Sequence, residues 1–181
     1  MKRSAVILLA QKGHSSMAFK EGLLAGWIES NFPGETLAGY TVATASGGSE
    51  QGTRHSTAGV DGDDQRDQLR IRLGFADDAK VTVGESGTFL AATQTRLIVG
   101  SRSSVRNRPK DLIVAAPLTD VRVHWFDATV SSNWFRHWVI DLGGGRWRTD
   151  RTGLKALGRE TQIAPVADEF VAVLGDRAVQ H

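Results

Sequence analysis

The side chains best equipped for chemistry lie between Thr93 and Asp150. Trp125, Trp134, Trp138 and Trp147 are interleaved there with Arg122, Arg136, Arg146 and Arg148. Rings beside guanidinium groups can stack the bases of a single-stranded nucleic acid over a basic groove. The same set on loops could engage an anionic lipid headgroup. Strand alternation offers a plainer account, with tryptophans in the core and arginines as their solvated alternates. Just upstream, Arg102, Arg106, Arg108 and Lys110 crowd residues 101–110, with Ser103 and Ser104 as extra donors. This segment reads as a loop between strands, either a phosphate contact or a solvated turn.

Metal chemistry has thinner support. His124 and His137 face each other only if a hairpin turn centres between Val130 and Ser131. A one-residue slip would place them on opposite faces. No third ligand accompanies them beyond Asp127 and Asp141, so no metal site is expected. Asp61-Gly-Asp-Asp-Gln-Arg-Asp67 imitates the start of a calcium loop but lacks its glycine at the sixth place and its glutamate at the twelfth. The chain has no cysteine, which excludes disulfides, zinc thiolates, iron–sulfur clusters and thiol nucleophiles.

Enzyme signatures are missing too. The sequence holds no Gly-x-Ser-x-Gly, no phosphate-binding loop and no His-Glu-x-x-His. Gly143-Gly-Gly145 opens no helix and reads as a turn. No enzymatic activity and no cofactor are expected.

The elements that must position these residues follow from periodicity. Phe19, Leu23, Leu24, Trp27 and Ile28 make a helical stripe over 16–31, capped by Ser15 or Ser16 and stopped before Pro33. Gly22 and Gly26, four apart, either permit close packing or are incidental. Leu37–Ala45 reads as a strand, and residues 46–68 as a mobile polar insertion. Leu69-Arg-Ile-Arg-Leu73 alternates and predicts a half-buried strand, followed by a short one at Ala79–Val83. Further strands are expected at 88–93, 96–101, 111–116, 118–126, 134–142 and 146–150, with a turn over 127–133. Ile163, Val166, Ala167, Phe170 and Leu174 form a closing helix, with Pro165 in its first turn and Gly175 as its stop. No strand–helix–strand alternation occurs, which argues against a doubly wound sheet.

Length and charge bound the rest. At 181 residues the chain suits one domain with an added arm. Met1-Lys-Arg and the apolar run Ala5–Ala10 imitate a signal peptide, but the run is too short, and nothing approaches a membrane span. A cytoplasmic protein is expected. The net charge of +2 hides a segregation. Residues 91–160 hold 12 Lys+Arg and 6 Asp+Glu, whereas residues 1–90 hold 9 and 11 and residues 161–181 hold 1 and 3.

Several ordered motifs carry a resemblance. These are Phe32-Pro-Gly-Glu35, then Gly87–Ser101 with Thr93-Gln-Thr-Arg96 between two strands, then Ala116-Pro-Leu-Thr-Asp-Val-Arg-Val123, and a final helix with Phe170 and Leu174. Together they resemble the bacterial pleckstrin-homology-like (PH-like) domains of the GRAM and YokE-like group over about residues 32–175. The resemblance implies a mainly β (α+β) fold, a partly open barrel of two antiparallel sheets with a C-terminal capping helix. Residues 32–176 would form that domain and residues 1–31 an added N-terminal strand or helix. It further implies a non-enzymatic binding or assembly module whose partner is a protein or its own copies. The alternative is a binder of anionic lipid headgroups or single-stranded nucleic acid. In the family's turn position, Arg96 would contact an anion or, more simply, turn carbonyls.

Overall fold

The computed structural model describes residues 21–45, 62–82, 87–103, 106–130 and 132–181. The apolar run 5–10, the Ser15 or Ser16 cap and residues 46–61 of the predicted insertion lie outside them. Helix α1 spans Glu21–Asn31 and strand β1 Leu37–Ala45, close to expectation. Among the described residues nothing lies within 4 Å of a side chain built on Gly22 or Gly26, so their spacing serves no close packing there.

The expected strand at 69–73 is a correction: those residues close helix α2, Gly62–Arg72. Five alternating residues satisfy two periods at once. Leu69 and Leu73 are also helical neighbours four apart, and the Leu73 amide donates to the Leu69 carbonyl. Asp63 and Asp64 in the first turn and Arg70 and Arg72 in the last complement the helix dipole. Of the strand expected at 79–83, residue 83 lies outside the described residues and the remainder is likewise replaced. Asp77–Ala79 form one 3-10 turn, and Lys80 makes an isolated bridge to Trp147.

Seven strands follow before the last helix: β2 (Gly87–Thr93), β3 (Arg96–Ser103), β4 (Arg108–Pro117), β5 (Arg122–Val130), β6 (Asn133–Asp141), β7 (Trp147–Ala156) and the short β8 (Arg159–Glu160). Helix α3 (Ala164–Leu174) and strand β9 (Ala178–Gln180) complete the order. Two loop expectations shrink. Arg102, Arg108 and Lys110 belong to strands, and β5 runs on to Val130. Gly143, Gly144 and Gly145 do form the β6–β7 turn. All three take positive φ, which glycine alone adopts without cost.

The strands form one sheet in the order β4-β3-β2-β1-β7-β6-β5-β9, with β8 beside β7. Two antiparallel meanders are thus joined, not separate. β1 pairs with β2 along its length and with β7 only through Thr44 and Ala45. The sheet is not closed into a barrel.

Burial explains how the meanders are held. Between them lies the main core, in which Leu90, Val99, Trp138 and Ile140 meet Phe170 and Leu174 of α3. The opposite face of the first meander carries Val42, Phe89, Ala91 and Ile98, covered by Leu24 and Ile28 of α1. On the second meander, Phe126 and Val139 are covered by Leu69 of α2. With helices on one face and the core on the other, β2 and β3 are buried residue after residue instead of alternately.

Candidate functional site

Pairing across five strands sets up one row of side chains. Thr44 lies opposite Gly87 on one side and Arg151 on the other, and Arg151 lies opposite His137, which faces Phe126. Gly87 is one step beyond the Thr88–Ser101 pair, so Arg102 of β3 extends the row. Gly87 leaves room for that arginine to lie across it. A side chain built there would meet Arg102 Cγ at 3.2 Å. Arg102 and Arg151 stand three strand spacings apart, about 14 Å along the sheet, with only glycine and threonine between them.

A cleft of about 240 Å³ opens above this row, at the seam between the meanders. Its cations are Arg102, Arg151 and Lys155, its hydroxyls Thr44 and Thr161, and its apolar surface includes Val42, Phe135 and Ile163. Val42 belongs to the cluster beneath α1, while His137 lies beside Phe126 and Phe135 toward α2. The cleft is therefore the stretch of the helix-covered face that lies between the two helices.

The cations differ in how they are held. Arg102 is partly buried. Its Nη1 donates to Asn107 Oδ1 at 3.1 Å, while its buried Nε has no acceptor. Among the described residues no carboxylate pairs with it, and burial pulls its guanidinium below the ordinary range. Arg151 lies 5.0 Å from the Phe135 ring centre and 3.6 Å from Asp63 Oδ2, so α2 tethers one wall of the cleft. Lys155 follows Arg151 and Gly153 on the same side of β7.

The structure scatters most of the predicted site. Arg106, Arg108 and Lys110 are exposed around the β3–β4 turn, and Lys110 lies 3.4 Å from Asp111. Arg122 is exposed at the start of β5 and donates to the Asp176 carbonyl, while Arg146 is exposed in the glycine turn. Arg136 and Arg148 correct the expectation of solvated arginines, being 5% and 1% exposed. Arg136 makes a two-pronged contact with Asp127, reaches Asp168 of α3 at 2.7 Å, and sits 4.3 Å over Trp125. Burial opposes its charge, but the bonds to Asp127 and Asp168 outweigh this and raise its pKa. Arg148 Nη2 donates to Asp150 Oδ1 at 2.8 Å inside the core, where Thr88 also donates to Asp150. Burial pushes the Asp150 carboxyl up against the pull of Arg148. Arg148 balances a buried carboxylate, and Arg136 is paired with the more exposed Asp127 and Asp168. Of the eight predicted residues, Arg102 alone lines the cleft.

The aromatic residues divide in the same way. Trp138 is in the core, Trp134 is 44% exposed, and Trp147 stacks on Phe75 at 5.7 Å. The histidines do not pair with each other. His124 faces Val139, and the hairpin closes at Val130–Asn133. His124 Nδ1 lies instead 2.9 Å from His181 Nε2, and burial, then His181, lowers its pKa. No group of three or more metal-ligating side chains occurs among the described residues. Arg96 serves structure: its Nε donates to Glu35, as does the Thr95 hydroxyl, and its guanidinium lies 5.9 Å from the Phe32 ring centre. The hydroxyls of Thr93 and Thr95, with Arg96, hold the Glu35 carboxyl below its usual range.

Arg151 and Lys155 lie beyond the strand expected at 146–150, which stops at Asp150, whereas β7 runs on to Ala156. The signal was present. Arg151, Gly153 and Lys155 alternate with Thr152 and Leu154, which continues the strand period. Against known proteins, the chain matches no family model, no curated protein and no solved structure. No helix among the described residues is long and apolar enough to cross a membrane.

Proposed function

We propose that this chain is a non-enzymatic binding module of PH-like build that takes an anionic ligand in the cleft between β1 and β7. The observation that carries the reading is Arg102, a partly buried cation with an unpartnered Nε and no carboxylate beside it among the described residues. A cation withdrawn from water without a counter-charge is costly unless a ligand supplies one. Arg151 and Lys155 add positive charge to the same lining. Among the described residues the lining carries no carboxylate and no imidazole, which supports binding without acid–base chemistry.

The PH-like build is supported by strand order. Antiparallel meanders β4-β3-β2-β1 and β7-β6-β5 with a C-terminal helix against the core suit that build, although they form one unclosed sheet and not the two that the sequence motifs imply. Two of those motifs meet, since Glu35 of Pro-Gly-Glu accepts from Thr95 and Arg96 of the Thr-x-x-Arg turn. A second use, with a protein partner or a second copy, is favoured by Leu112, 45% exposed on edge strand β4.

Thermal shift and titration calorimetry test the anion reading with octyl phosphate, pyrophosphate, an oligothymidylate and phosphatidylglycerol vesicles. At least one is expected to bind, more weakly as salt rises, and at least tenfold more weakly to Arg102→Gln. Failure of every probe, or binding indifferent to Arg102→Gln, overturns it.

A further inference from the structure

Three features of the cleft bear on what kind of anion it takes. The first is its charge count. Arg102 is the cation that has neither a carboxylate partner nor a described acceptor for its Nε, whereas Arg151 already shares its charge with Asp63 and its face with Phe135. Arg106, Arg108, Arg122 and Arg146, which a polyanion would need, do not line the cleft. The second is size. About 240 Å³ has room for roughly eight waters and falls just below the usual range of small-molecule pockets, about 300 Å³ upward. The third is the lining. Val42, Ala43, Phe135, Gly153, Ala156 and Ile163 present carbon surface opposite the cations.

From these we infer that the ligand is a small single-headed amphiphile, with one phosphate or carboxylate set between Arg102 and Arg151 and a compact apolar body against Phe135, Gly153 and Ile163. This rests on the anion-binding reading above and narrows it. The head group supplies the counter-charge that no described carboxylate gives the Arg102 guanidinium. Arg151, Lys155 and the Thr44 hydroxyl flank it. The body takes the place of water on Val42, Phe135 and Ile163, a gain that a bare anion cannot make.

Gly153 gives a clean probe of the apolar half. A Cβ built on it has Phe135 Cε1 as its nearest neighbour, at 3.8 Å, and its φ is not positive, so Gly153→Val fills the cleft without backbone strain. Calorimetry would compare octyl phosphate below its micelle concentration with inorganic phosphate, octanol and phosphatidylglycerol vesicles, on the full chain and on Arg102→Gln and Gly153→Val. Circular dichroism would verify that both variants fold. The expected result is octyl phosphate binding at least tenfold tighter than inorganic phosphate or octanol, reduced at least tenfold by either substitution. If inorganic phosphate binds as tightly, still dependent on Arg102, the anion reading stands and the amphiphile inference falls. Binding to vesicles but not to the monomeric amphiphile also overturns it, because the head group is then read at a bilayer. If no probe binds, both readings fall.

Discussion

His137 shows how much a single position owes to its surroundings. Its ring is fully buried, parallel to Phe126 at 5.0 Å, and neither ring nitrogen has a hydrogen-bond partner. Burial is the main reason its pKa falls from 6.5 to about 4; Asp63 and Asp127 oppose the fall, while Arg66 and Arg151 add to it. The folded chain therefore releases this proton before the unfolded chain does. As pH drops from 6.5 to about 4, the unfolded state gains a proton that the folded state refuses, and stability falls. The loss is about 3 kcal/mol, complete once pH passes below the folded value. Urea denaturation at pH 7 and pH 4.5 checks this against His137→Phe. The variant should lose distinctly less stability over that window, and an identical loss would remove His137 as the cause.

At the scale of elements, α2 separates two readings of one short stretch. A strand at 69–73 would put Leu69 and Ile71 on the same face. The helix buries Leu69 and leaves Ile71 65% exposed. Ile71→Lys should then change stability by less than about 0.5 kcal/mol, whereas Leu69→Ala should cost about 2–4 kcal/mol by opening a cavity against Phe126 and Val139. Equal costs in chemical denaturation would restore the strand. The hairpins were easier to read from sequence, because β6 alternates over nine residues and β2 and β3 are apolar runs parted by the polar pair Gln94-Thr95. Where the strand reading failed, at 69–73 and 79–83, the pattern was five residues or fewer, and such a length cannot separate period 2 from period 3.6.

Across the whole molecule, the basic stretch 91–160 lies between acidic flanks in sequence. Edge strand β4 offers Leu112 beside Lys110 and Asp111. Complementary charge and an exposed edge fit weak association of copies. Sedimentation at rising concentration in low salt should show a species above the monomer that dissociates in about 1 M salt, where the Debye length is about 3 Å. A strictly monomeric species at high concentration in low salt would remove self-pairing. The site itself also belongs to this scale, since it draws on β1, β3, β6, β7 and the segment before α3.

Periodicity and turn chemistry determined in advance a mainly β chain closed by an amphipathic helix, because alternation, glycine turns and a helical stripe act over a few neighbouring residues. The sequence also marked Arg102, Arg136 and Arg148 as notable cations, but not which of them would lack a counter-charge. That depended on tertiary structure. Asp127 and Asp168 had to reach Arg136, and Asp150 had to share the core with Arg148. Arg102 had to cross Gly87 to a seam where no described carboxylate meets it. Coulomb attraction and desolvation depend on distance in space, and strands far apart in sequence set those distances.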